Sequence, residues 1–283
     1  MSDILFPRTT VGGVSLPRML LGTNWILGYS HTGAAADAMI RGVHSTADAT
    51  VPMIVTALQN GVDAMMAPFT DNPRLVEAVR RAEEIAEHKM ILIDTPGMNV
   101  ADSAEARAEA QATIRKSAAL GATFCLIHHG SAEQLVDKHA RCIRRLDDYT
   151  AMIRDAGMIP GLSAHMPELI LYSDQNGNDV ETYIQIYNCM GFLMQIEIET
   201  ISRIIHNAKK PVMTIKPMAA GRCTPYVGLN FNFATLRECD MVTVGCLNEM
   251  ELAEDIEIVR AHFEHRMPQL GKRATPVAQA VLK

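Results

Sequence analysis

The sequence predicts an α/β protein, a closed (β/α)8 barrel of the TIM type, and three observations lead there. Strand-sized apolar runs return eight times, at Arg18–Thr23, Val62–Pro68, Met90–Thr95, Thr123–His128, Met158–Ser163, Tyr183–Tyr187, Pro211–Lys216 and Met241–Cys246. Most of them start about 30 residues apart, the length of one β-α unit. The segments between them are long enough for the helix that a parallel crossover requires. In such a barrel the residues just past each strand line one shared mouth, so strand-end residues become the site candidates.

The elements follow in order. Phe6–Leu16 carries Gly12-Gly13 between two short β-prone runs, a hairpin signal, and an N-terminal β-hairpin can plug the bottom of a barrel. Helical segments follow at Thr46–Gln59, Asn72–His88, Ser103–Leu120, Ala132–Ala156, Glu197–Ala208 and Glu249–His265. Several open on Ser, Thr, Asp or Asn with acidic residues in the first turn. The tail Thr275–Leu282 reads as a short closing helix. No linker or composition break divides the chain, so residues 1–283 read as one domain.

Composition removes several function classes. A net charge of −6 with scattered Lys and Arg offers no basic face to nucleic acid. No apolar run reaches the roughly 18 residues of a membrane span, and MSDILFPRTT lacks a basic-then-apolar signal, so a cytoplasmic protein is expected. A homo-oligomer is compatible with these properties. The six cysteines show no CxxC pair or metal-knuckle spacing and read as reduced thiols. The 18 Met residues fill irregular cores and need no metal. The Ala-rich stretch Ala104–Ala119 reads as an outer helix with a solvated face, and the basic patch around Arg141, Arg144 and Arg145 as salt-bridged surface. His262 and His265 lie too late in the last helix to reach the mouth.

The strand ends hold a polar set rich in imidazole. Asn24, Trp25 and His31 follow the first strand, Thr70 and Asp71 the second, and Asp94 and Thr95 end the third. His128 and His129 end the fourth, Ser163 and His165 the fifth, and Asn188 the sixth. Lys216 and Arg222 follow the seventh, Cys246 and Asn248 the eighth. The loop Asn24–His31 contains the only Trp beside Tyr29, in a region where barrel enzymes cover their substrates. Strand alternation sends one of His128 and His129 into the barrel and the other toward the helices, with His128 inward.

Six phrases in register resemble the aldo-keto reductase family over most of the chain. They are RMLLGT after the hairpin, GVDAMMAPFTDNPRLVEAV, CLIHHG, GLSAH, KKPVMTIKPMAAGR and VGCLNEMELAEDIEIV. The resemblance implies the barrel fold and a reductase tetrad of Asp, Tyr, Lys and His, in which the phenol protonates a carbonyl oxygen as hydride arrives from NADPH. Only the His is matched, by His128. The family's Asp falls near Met66, its Tyr near Asp71 with Phe69 the nearest aromatic, and its Lys at Asp94 or Thr95.

The departure from the tetrad leads to the expectation of a non-redox enzyme, a lyase, epimerase or isomerase acting on a small polyhydroxylated carbonyl compound such as a sugar derivative. Two chemistries compete. In one, His128 and His165 hold a divalent metal (Zn, Mn, Fe or Co) with a third ligand from Glu197, Glu199, Asp94 or His31, leaving an open position for a Lewis acid. In the other, Lys216, His128 and Asp94 perform acid–base work, Lys216 being partly desolvated. Asn24, Trp25, His31, Asn188 and Arg222 are the expected substrate contacts, Arg222 as a phosphate or carboxylate clamp. NAD(P)H is the lesser cofactor expectation. It belongs to the alternative of an NAD(P)H-dependent reductase with a rearranged proton donor, Tyr29 being the nearest phenol. A non-catalytic ligand-binding barrel is the third reading.

Overall fold

All eight apolar runs are strands of one closed, fully parallel barrel in the computed structural model, which describes residues 6–271. The expected tail helix Thr275–Leu282 lies outside the described residues. A hairpin, β1 (Arg8–Val11) and β2 (Val14–Pro17), turns at Gly12-Gly13 and precedes the first barrel strand β3 (Met19–Gly22). Helices α1 (Asn24–Leu27), α2 (Ala34–Val43) and α3 (Ala47–Gln59) lead to β4 (Ala64–Ala67). Next come α4 (Pro73–Ala86), β5 (Ile91–Asp94), α5 (Ala104–Ala119), β6 (Phe124–Ile127) and α6 (His129–Ala132). A small hairpin, β7 (Val136–Asp137) with β8 (Cys142–Ile143), is followed by α7 (Leu146–Asp155), β9 (Ile159–Ser163), α8 (Glu168–Asn176) and β10 (Thr182–Ile186). The chain ends with α9 (Ile198–Asn207), β11 (Val212–Ile215), α10 (Pro225–Thr235), β12 (Met241–Val244) and α11 (Glu249–Phe263). Around the barrel the order is β3-β4-β5-β6-β9-β10-β11-β12, and β12 pairs back onto β3.

Alternation along each strand divides the apolar residues into two cores. Leu20, Ala64, Met66, Ile93, Phe124, Leu126, Ile184, Met213 and Met241 fill the barrel. Their strand neighbours, such as Leu21, Met65, Leu92, Cys125 and Val212, pack under the helices. Val11 and Leu16 of the hairpin belong to the interior cluster, so the hairpin closes the bottom of the barrel, as the sequence leads one to expect. Fully burying side chains of this kind contributes about 1.5–3 kcal/mol each.

The single helix expected over Ala132–Ala156 is interrupted. Asp137 accepts hydrogen bonds from the backbone N–H of His139 and Ala140, and Arg141 and Arg145 adopt left-handed φ, which no helix accommodates. The chain therefore forms the β7-β8 hairpin there, and α7 starts only at Leu146.

β9 approaches its neighbours closely at Gly161. A Cβ at this position would stand 2.7 Å from Leu126 Cγ and 2.9 Å from the Thr182 carbonyl oxygen, which belongs to backbone and cannot swing aside. Gly161→Ala is expected to cost about 1–3 kcal/mol of stability through overpacking. Urea unfolding checks this, and an unchanged midpoint would show that the barrel wall yields there.

Candidate active site at the carboxyl ends of the strands

β6 ends at Ile127, and the chain turns at once into α6. His128 caps that helix, its Nδ1 accepting the Gly130 N–H at 3.2 Å, and His129 is the first helical residue. The expectation that only one of the two faces the mouth is corrected by this early end of the strand. Their rings lie 4.1 Å apart between centroids, and the His129 ring stacks on His165 at 3.8 Å with 20° between planes. His165 follows β9, and its position is set by Glu133, whose Oε1 accepts the N–H groups of His165 (2.7 Å) and Met166 (3.0 Å).

Strand seven ends in an unusual backbone. Lys216 adopts φ 61°, and Ala219, Ala220 and Gly221 are also left-handed. For residues with a Cβ this conformation is strained, and it re-aims the chain at the mouth. The Lys216 ammonium has no hydrogen bond or ion pair among the described residues, and burial lowers its pKa to about 8. Its charge reaches His31, His128, His129 and His165 and depresses all four. Burial is the main cause in each, taking His128 to about 4 and His165 to about 3. The mouth at neutral pH thus holds neutral imidazoles around one mostly protonated amine.

Arg222 completes the cationic side. Its guanidinium lies 3.9 Å over the Phe192 ring and donates to the Ala219 carbonyl oxygen, with no carboxylate partner among the described residues. Two nearby carboxylates are engaged elsewhere. Asp37 accepts from the N–H and hydroxyl of Ser30, and Glu133 holds its two backbone donors. Across the mouth, Trp25 packs over Gly245, where a Cβ would meet indole Cδ1 at 3.5 Å. Asn24 donates its amide to His31 Nε2 at 3.3 Å. Tyr29 stands on the rim, 57% exposed.

Three expected site residues are placed differently. Asp94 is fully buried, but alternation turns it away from the barrel-filling Ile93. Its carboxylate accepts the Phe69 N–H at 2.8 Å behind the barrel wall, so it does not face the mouth. Asn188 uses its carboxamide on its own loop, accepting from Met190 and Phe192 N–H and donating to the Phe192 carbonyl oxygen. Glu197 is an exposed residue just before α9 whose side chain makes no cap hydrogen bond, and the carboxylate that joins the imidazoles is Glu133. One atom each of His129, Glu133 and His165 lie within 4.8 Å of one another, a grouping distinct from the expected His128, His165 and Glu197. Sequence reading missed Glu133 and Phe192. The His129-to-Glu133 spacing of four was visible but meaningful only once a helix was known to begin at His129.

No protein-family model matches the chain, and no curated protein matches it. Solved structures do. An aldo-keto reductase from Pseudomonas aeruginosa superposes with a TM-score of 0.62 at 15% identity, covering 93% of this chain and 100% of that one. An aldo-keto reductase from Klebsiella pneumoniae in complex with NADPH gives 0.61 at 12% identity, covering 99% and 94%. Another from Klebsiella pneumoniae, in complex with NADP and acetate, gives 0.58 at 13% identity over 96% and 99%.

The chain has the aldo-keto reductase fold. This agrees with the resemblance in its motifs. The same likeness corrects two expectations, the non-redox lyase, epimerase or isomerase and the divalent Zn, Mn, Fe or Co cofactor. Two of the structures that share this barrel from end to end are described with NADPH and NADP, and none of these three with a metal. Among the described residues no helix is long and apolar enough to cross a membrane.

Proposed function

We propose that the protein is an NAD(P)H-dependent carbonyl reductase in which the Lys216 ammonium takes the place of the missing phenol as proton donor. The observation that carries this reading is a half-buried ammonium with no hydrogen bond or ion pair among the described residues, lying among neutral imidazoles where an aldo-keto-reductase barrel opens.

The residues present fit an anionic dinucleotide. Two cations, Lys216 and Arg222, have no carboxylate partner among the described residues. Arg222 follows a left-handed turn and stands just before α10, whose start is capped by Thr224. Arg222, that turn and the helix start would hold a phosphate, since backbone N–H groups at a helix N-terminus favour anions. When bound, the nicotinamide supplies hydride to a carbonyl carbon.

The chain's own residues have the remaining tasks. The Lys216 Nζ donates a proton to the carbonyl oxygen as negative charge develops on it, becomes a neutral amine and regains its proton from solvent. An amine near pKa 8 is protonated at neutral pH yet releases its proton more readily than an ordinary lysine. His128 and His165, uncharged, can hydrogen-bond the same oxygen without competing as cations. Trp25, the only Trp, covers the opposite side with a flat apolar face. Tyr29, exposed on the rim, is a less suitable donor than a half-buried ammonium.

NADPH titration monitored by Trp25 fluorescence, followed by absorbance of NADPH with a panel of aldehydes and ketones, tests the reading. Saturable quenching and carbonyl-dependent NADPH consumption are expected. Quenching without turnover on any member would instead support a ligand-binding barrel.

A further inference from the structure

The loops after β10 and β11 meet at the rim of the site, and their meeting point holds two cysteines that carbonyl reduction does not use. Cys189 directly follows Asn188, whose carboxamide orders its loop through Met190 and Phe192. Cys223 directly precedes Thr224, the cap of α10. Both thiols are free and half-buried, and Cys189 is the side chain that, after burial, acts most on the Cys223 thiol, as neighbours across the two loops do. The Cys223 S–H also faces the Pro217 carbonyl oxygen at 3.8 Å, and its Sγ lies against α10, 3.3 Å from where a Cβ at Gly228 would stand. A second tie joins the same two loops, the Arg222 guanidinium over the Phe192 ring. Neither sulfur therefore needs a long excursion to reach the other. The remaining cysteines are placed otherwise. Cys125 and Cys246 are buried, Cys142 lies on β8, and Cys239 precedes β12.

We propose that Cys189 and Cys223 are a peroxide-oxidisable thiol pair whose disulfide ties the β10 loop to the β11 loop across the rim of the site. Peroxide transfers one oxygen to the Cys189 sulfur, giving a sulfenic acid and releasing water. The Cys223 sulfur then attacks the Cys189 sulfur, the S–O bond breaks, and the Cys223 proton leaves with that oxygen as a second water. Two thiols and one hydrogen peroxide thus give one disulfide and two waters. Burial and the neighbouring Cys189 push the Cys223 thiol up to about 12, so it keeps its proton at neutral pH. With its S–H turned to the Pro217 carbonyl oxygen, Cys223 takes the resolving role and gives up that proton as it attacks. Because the β11 loop begins at Lys216 and contains Arg222, the bond would fix the segment carrying both cations, making the site responsive to oxidants.

The pair can be mapped without any turnover assay, so its outcome is independent of the reductase reading. The full chain is treated with hydrogen peroxide, the remaining thiols are alkylated, and the protein is digested under non-reducing conditions for mass spectrometry. The expected result is loss of two of the six alkylatable thiols, a mass lower by two hydrogens, and a peptide linking Cys189 to Cys223 that dithiothreitol cleaves. Cys223→Ser should stop at an oxidised Cys189 with no linked peptide, and Cys189→Ser should leave Cys223 alkylatable. All six thiols still alkylatable after peroxide, a linked peptide joining a different pair, or oxidation beyond sulfenic acid at Cys189 with Cys223 left free would overturn the proposal.

Discussion

Replacing Lys216 with methionine is expected to lower carbonyl-dependent NADPH turnover by about 10²–10⁴-fold, the contribution typical of a positioned acid. Methionine keeps much of the volume and the apolar stem but has no proton to give. The loss should fall on kcat, because Arg222 and the start of α10 remain to hold an anionic cofactor. The substitution also removes a half-buried charge without a partner among the described residues, so thermal stability should stay level or rise. A fall in stability with turnover retained would mark Lys216 as structural and end its assignment as the acid. The pH profile supplies the sign. The protonated amine is the active form, so kcat should be level below about pH 7 and fall roughly tenfold per unit above about pH 8 in the parent protein. That alkaline limb should vanish from the residual activity of the methionine variant.

The second large effect is acid lability. His128 and His165 have pKa values depressed by burial to about 4 and about 3, from an ordinary 6.5. Below 6.5 the unfolded chain binds protons that the folded chain refuses, so stability is present above 6.5 and is lost as pH falls. Near pH 5 two such rings give a limiting slope of about 2.7 kcal/mol per pH unit, and their partial exposure reduces it to about 2. Urea midpoints at pH 7 and pH 5 measure it. His165→Phe keeps a ring to stack on His129 and should lower the slope by about 1 kcal/mol per pH unit, one ring's share. An identical slope in that variant would mean that the acid transition belongs to other groups.

The barrel was legible because its determinants are local. Eight apolar runs, each followed by polar residues and spaced for a crossover helix, leave few other arrangements. The polar list at the strand ends was legible for the same reason, and His128, His165, Lys216, Arg222 and Trp25 do stand at the mouth. What failed depends on where a strand stops and which way its last residue points. Asp94 ends β5 but belongs to the outward row, a matter of one residue in register. His129 enters the mouth because β6 stops at Ile127 and a helix begins immediately, and nothing in CLIHHG distinguishes that from one more residue of strand. Glu133 acts through backbone N–H groups of a segment 32 residues away, a contact that no local pattern encodes. Asn188 has the chemistry of a ligand-binding amide, yet the loop turning back on it occupies its carboxamide oxygen twice and its amide nitrogen once. The reaction type was the largest error. A missing tetrad points away from redox chemistry, whereas the fold is one that NADPH-bound reductases share and a half-buried lysine offers another proton source.

Isotope transfer tests most directly whether hydride and proton meet at a carbonyl in this mouth. NADPH deuterated at the transferring position is incubated with the protein and each carbonyl of the panel, and the alcohol is examined by mass spectrometry. Deuterium on the carbinol carbon, lost on Lys216→Met, is the result this account predicts. Saturating protein that leaves every carbonyl unreduced and the cofactor's deuterium in place would contradict it.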